Sequence, residues 1–124
     1  MAKILIIEDD PSLRKIYVAI LSMEGFNVTG AFDGQEGLRL AAEIQPDLIL
    51  LDMMMPNMNG IEFLRAYDIL GQHPKVKVIA FSNTEKPEFV NEARKLGATR
   101  YSAKYSFTPK TLVSLIRETL AETP

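Results

Sequence analysis

Four short stretches of this chain carry side chains that could do chemistry together. Glu8-Asp9-Asp10 follows the apolar run Ile4–Ile7, and Asp52 follows Leu48–Leu51. Ser82-Asn83-Thr84 follows Val76–Phe81, and Lys104 follows Thr99–Ala103. Singly, each has a plain structural reading: Asp52 as a turn residue, Glu8-Asp9-Asp10 as a helix cap, with Asp10 in that role. Together they say more. Three carboxylates at one place repel one another unless a cation neutralises them. Glu8, Asp9 and Asp52 against Lys104 leave two negative charges in excess, which one divalent ion would answer. Hard oxygen donors supplemented by water suit Mg²⁺ better than a softer metal. A metal-bound carboxylate beside an ammonium and a hydroxyl is equipped for phosphoryl transfer to Asp. Asp52 would attack phosphorus, Lys104 and the metal would neutralise the equatorial oxygens, and Ser82 would hydrogen-bond one of them.

Those residues meet only if the elements before them lie side by side. After Ile4–Ile7, Leu13, Ile16, Tyr17, Ile20 and Leu21 recur at helical spacing, with Asp10 as cap, Pro11 in the first turn and Gly25 as stop. Phe26–Ala31 reads as a weaker edge strand. Asp33 and Glu36 have capping-box spacing ahead of a helix to about Gln45. Leu48–Leu51 lacks alternation, as a parallel strand covered on both faces does. A helix over about Gly60–Leu70 turns Ile61, Leu64 and Ile69 inward, ending near Gly71. Val76–Phe81, a helix over Pro87–Leu96, the polar strand Thr99–Ala103 and a helix from Thr108-Pro109 complete the chain. Strict alternation implies an α/β, doubly wound (βα)5 flavodoxin-like sandwich, its five-stranded parallel sheet in the order 2-1-3-4-5. The topological switch then lies between the first and third strands, beyond whose carboxyl ends ligands bind.

Composition narrows the function further. The 124 residues hold 14 Lys+Arg against 16 Asp+Glu, one His, no Cys and 47% hydrophobic residues. One domain, 1–124, without an output domain, is expected. No basic excess favours nucleic acid. No apolar run approaches the roughly 20 residues of a membrane span, and no secretory signal is apparent, so the cytoplasm is expected. Without Cys, disulfides and thiolate chemistry are excluded. No Gly-rich phosphate cradle is present, which argues against a flavin or dinucleotide carrier.

Ile4–Asp10, Asp52–Gly60 (DMMMPNMNG), Ser82 and Lys104, at these spacings, resemble the receiver domain of two-component response regulators, the CheY-like family. The resemblance covers essentially the whole chain. It implies Asp52 as phospho-acceptor, Asp9 as direct Mg²⁺ ligand, Glu8 acting through water, and the Met54 backbone carbonyl as a further ligand. It makes Lys104 and Ser82 phosphate-binding residues and Tyr101 the rotating aromatic of the switch. A histidine kinase or phosphotransfer protein would supply the phosphoryl group. The surface of the fourth helix, fifth strand and fifth helix would then change, to regulate a protein target or output domain or to form a homodimer. Such a protein catalyses only its own phosphorylation and decay. The alternative is a phosphorylation-independent adaptor or dimerisation module on the same fold.

Three features depart from the family pattern. Tyr105 follows Lys104 where the family has proline, so either a trans bond with a shifted loop or a strained cis bond is expected, the latter costing about 2.5–4 kcal/mol. Asn83 replaces a small residue and would narrow access to Asp52. Met54 would screen the acyl phosphate from water, giving a slowly decaying phospho-form. Met53, Met55 and Met58 are expected to pack rather than bind a soft metal. His73 reads as exposed loop, Tyr105 and Phe107 as either a docking patch or ordinary packing, and Lys110, Arg117, Glu118 and Glu122 as a solvated face.

Overall fold

The continuous apolar runs become the interior strands of a parallel sheet. A computed structural model describes residues 1–82, 86–104 and 106–122. The strands are β1 (Lys3–Ile7), β2 (Asn27–Ala31), β3 (Leu48–Asp52), β4 (Lys77–Ser82) and β5 (Arg100–Ala103). The helices are α1 (Pro11–Met23), α2 (Gly34–Ile44), α3 (Gly60–Tyr67), the single turn α4 (Ile69–Gln72), α5 (Pro87–Lys95) and α6 (Pro109–Ala121). The sheet order is β2-β1-β3-β4-β5, every pairing parallel, as the alternation predicted. β2 is indeed an edge strand. Among the described residues no helix is long and apolar enough to cross a membrane.

Alternate residues of each central strand feed two separate cores. Leu5, Ile7, Ile49, Leu51, Val78 and Ala80 pack under α2, α3 and α5. Ile4, Ile6, Leu48, Leu50, Ile79 and Phe81 pack under α1 and α6. β3 is buried along its whole length, so neither face alternates with polar residues. Each such Leu or Ile contributes about 1.5–3 kcal/mol by leaving water. This double burial fixes the strand ends, and therefore whatever follows them, to one rigid edge.

Helix starts are set locally. Asp10 accepts from the N–H groups of Ser12 and Leu13 at 2.9 and 3.3 Å, with Pro11 in the first turn. Asp33 accepts from Glu36 N–H at 2.8 Å, but the Glu36 carboxylate takes the Phe32 N–H instead of its cap's, so the box is shifted by one residue. Asn59 and Glu62 form a complete capping box for α3, and Thr108 with Thr111 another for α6.

Three expectations need correction. The helix from Gly60 stops at Tyr67, not Leu70, because Asp68 is left-handed (φ 55°). Its N–H closes α3 on the Leu64 carbonyl while its carboxylate caps α4 through Gly71 N–H, so one residue ends a helix and starts a turn. Ile16 is 52% exposed, leaving Tyr17 and Leu21 as the buried residues of α1. His73 is not free loop: its ring stacks on Tyr67 at 4.0 Å and 4°, and Tyr67 stacks on Phe63 at 5.5 Å. Burial pushes the Tyr67 phenol up to about 12.

Candidate functional site

The carboxyl edge of the sheet assembles the residues that the spacing singled out. β1 pairs with β3 from Ile4↔Leu48 to Ile7↔Leu51, so Glu8 and Asp52 emerge as lateral neighbours. β4 brings Ser82 alongside, and β5 ends one residue before Lys104. Oxygens of Glu8, Asp9 and Asp52 lie within 4.8 Å of one another. Glu8, Asp52 and Ser82 are completely buried. Asp9 faces solvent.

Lys104 closes the site. Its ammonium lies 2.9 Å from Glu8 Oε1 and 3.1 Å from Asp52 Oδ2, and 5.9 Å from the centre of the Phe81 ring. Its own N–H donates to the Ser82 carbonyl at 2.7 Å, fixing the start of the loop to the end of β4. Met54 N–H donates to Asp52 Oδ1 at 3.0 Å, and Asp10 N–H to Glu8 Oε2 at 3.1 Å. Glu8 Oε1 has an ionic neighbour in Lys104 but no aligned hydrogen bond, a shortfall a water or metal-bound water would make good.

The electrostatics follow from burial. Desolvation pushes Glu8 up to about 8, and its hydrogen bond to Asp52 adds to the rise. Desolvation likewise raises Asp52, against the hydrogen bonds from Glu8, Met54 and Lys104. Asp9 is partly desolvated, yet contacts with Asp52, Glu8 and its own backbone N–H hold it below the ordinary range. Burial works against the Lys104 charge, but the Glu8 and Asp52 carboxylates beside it outweigh that and raise its pKa. The buried carboxylates therefore hold a proton that a divalent cation would displace, and their oxygens are the hard donors Mg²⁺ takes. The residues present fit that ion.

Tyr101 is half-buried on β5 and packs against the core beneath α2, α3 and α5. Met54 is 50% exposed beside Asp52, whereas Met53 and Met55 are core residues. Met58 packs over Gly34, where a Cβ would come within 2.9–3.0 Å of its side chain, joining the β3–α3 loop to α2. Phe107 packs against the α1–α6 core. Asn83 and the Lys104–Tyr105 bond lie outside the described residues. Arg117 pairs with Glu24 and lies 5.8 Å from the Phe26 ring, and Glu122 pairs with Arg100, so that face is more tied than expected.

One residue escaped sequence reasoning. Arg14, on the first turns of α1, donates from Nη1 to the Glu8 carbonyl at 2.7 Å. Its only signal was a charged position six residues after Glu8.

A family model for the response regulator receiver domain matches residues 4–117. The DNA-binding response regulator MtrA of Mycolicibacterium smegmatis is 37% identical over 118 residues, covering 95% of this chain and 50% of that protein. This chain thus spans about half the length of that curated relative. Chemotaxis protein CheY4 of Vibrio cholerae superposes with a TM-score of 0.88 at 32% identity, over 96% of this chain and 98% of that one. A CheY-like receiver domain protein of Methanospirillum hungatei gives 0.89 at 30% identity, over 97% and 94%. With the sheet order and the acidic edge beside them, these matches decide the matter: the chain belongs to the response regulator receiver domain family.

Proposed function

We propose that this chain is a phospho-accepting signalling switch, with Asp52 as the acceptor. The observation that carries the reading is the Lys104 ammonium set between Glu8 and Asp52, with Asp9 close by. Glu8, Asp9, Asp52 and the Met54 carbonyl would hold Mg²⁺, which when bound supplies positive charge to the transferring phosphoryl oxygens. Met54 N–H and Lys104 aim the two Asp52 oxygens, so the attacking carboxylate is pre-oriented. Transfer forms the Oδ–phosphorus bond and breaks the donor's bond to phosphorus, and the leaving group departs with its electron pair. Lys104 and the Ser82 hydroxyl then hold phosphoryl oxygens.

The acyl phosphate carries nearly one charge more than the carboxylate. Ser82, buried at the end of β4, moves toward it, and Tyr101 on β5 follows into the space left. The surface of α5, β5 and α6 is the output, read by a protein target, an attached output domain or a second copy. The donor is a histidine kinase or phosphotransfer protein, which places the chain in the cytoplasm, and no separate metabolite is turned over. Met54, half-exposed two residues from Asp52, screens the acyl phosphate and slows its hydrolysis. Intact-mass measurement after acetyl phosphate and Mg²⁺, with Asp52→Asn beside it, tests the reading. One added phosphoryl group in the wild type and none in the variant is expected. Equal labelling of both removes Asp52 from the role, and no labelling of either favours a phosphorylation-independent adaptor.

A further inference from the structure

We propose that Arg14 is a positioning residue for the acidic pair, holding the peptide between Glu8 and Asp9 so that Asp9 points at the metal position. The inference rests on the reading of Glu8, Asp9 and Asp52 as a Mg²⁺ site. Among those carboxylates only Asp9 faces solvent, and it stands beyond the last residue of β1, where strand pairing no longer fixes the backbone. Its direction depends on the plane of the Glu8–Asp9 peptide. The flanking Glu8 N–H is held by the Ala31 carbonyl at 3.0 Å, and the Glu8 carbonyl, within that peptide, by Arg14 at 2.7 Å. A guanidinium on the carbonyl makes a charge-assisted hydrogen bond, which holds the plane of that peptide.

The route Arg14 takes is built into β2. Its stem crosses Gly30, where a Cβ would come within 3.1 Å of Cδ and 3.2 Å of Cγ. Gly30 is an ordinary strand position by backbone conformation, so what the absence of a side chain provides there is room for the arginine. Two residues 16 positions apart thus serve one hydrogen bond.

The test is calorimetric Mg²⁺ binding by the whole chain, with wild type, Arg14→Met, Arg14→Lys and Gly30→Ala. Outer partners of metal ligands typically change affinity about 10–100-fold, so Arg14→Met should weaken binding at least about tenfold. Arg14→Lys, whose ammonium still donates, should recover part of the loss. Gly30→Ala, which leaves every charge in place, should weaken binding in the same direction by a smaller factor. Metal-free thermal unfolding accompanies each variant, since general damage to the fold would move the melting temperature and would not be repaired by lysine. Wild-type affinity in Arg14→Met, or a loss that lysine does not repair and melting does mirror, overturns the inference while leaving the site intact. Absence of Mg²⁺ binding in the wild type overturns the reading of the site and the role of Arg14 with it.

Discussion

Replacing Lys104 with Met, and separately Asp52 with Asn, should move metal-free stability in opposite directions. At an effective dielectric of 20, the ammonium contacts of 2.9 and 3.1 Å are each worth about 5–6 kcal/mol of gross attraction. Each pair of ionised carboxylates within 4.8 Å costs at least about 3.5 kcal/mol. With all three carboxylates ionised, two attractions would roughly offset three repulsions; the proton that the buried pair holds relieves part of both, and Lys104 answers the charge that remains. Lys104→Met removes both attractions. The carboxylates respond by taking up protons, which limits the net loss to about 3–5 kcal/mol, the usual cost of breaking a buried ion pair. For a domain of this size that is a fall of roughly 10–20 °C in melting temperature. Asp52→Asn removes a buried charge, and its single amide oxygen keeps one of the two contacts, that with Met54 N–H or that with Lys104. It should raise metal-free stability by about 1 kcal/mol. Thermal unfolding followed by circular dichroism in chelator, then in Mg²⁺, reads both effects, with Mg²⁺ raising the wild-type midpoint more than that of Asp52→Asn. A Lys104→Met midpoint equal to wild type, or an Asp52→Asn midpoint below it, would refute this balance of charges.

Glu8 is raised to about 8 from an ordinary value of 4.5, so its contribution is complete below pH 4.5 and lost as pH climbs through 8. Metal-free stability should accordingly fall across pH 5–8 by a few kcal/mol, Lys104 adding no opposing change because its raised pKa matters only in more alkaline solution; a flat urea-denaturation profile contradicts this. Mg²⁺ competes with that proton, so its stabilising effect should be larger at pH 8 than at pH 6, checked by melting at fixed metal concentration. A Cβ at Gly60 would lie 2.7 Å from the Met53 Cα, backbone against side chain, so Gly60→Ala should cost about 1–3 kcal/mol and reshape the loop holding Met54. Asn59→Ala removes one arm of the α3 capping box and should cost about 0.5–2 kcal/mol in chemical denaturation.

What could be read from sequence was whatever a strand or helix repeats. Leu48–Leu51 announces burial on both faces because no residue interrupts it, and Asp52, Glu8 and Lys104 are then placed by the parallel register alone. Asp10, Asp33 and Thr108 speak through caps that need only three or four neighbouring residues. What escaped depends on distant partners. Asp68 breaks a helix whose apolar spacing runs on through Ile69, because its carboxylate finds Gly71 N–H and the chain bends to reach the core twice. His73 looks like loop until Tyr67 is placed beneath it. Ile16 has the right spacing for a buried face and is nevertheless half-exposed.

Arg14 is the sharper case. Spacing arguments find groups that end on one edge, because the sheet brings those ends together. They do not find a long side chain that starts on a helix, crosses a neighbouring strand and finishes on a backbone carbonyl. Its complement in the sequence is an absence, the missing side chain at Gly30, and a glycine in an edge strand has many plainer explanations. Both signals become meaningful only when the 3.1 Å approach of the stem and the 2.7 Å hydrogen bond are seen together. The site therefore has two kinds of parts. Glu8, Asp9, Asp52 and Lys104 carry charges that define what binds, and the register of the sheet is enough to locate them. Arg14 and Gly30 determine how well Asp9 is aimed, and for residues of that kind only the packed structure supplies the evidence.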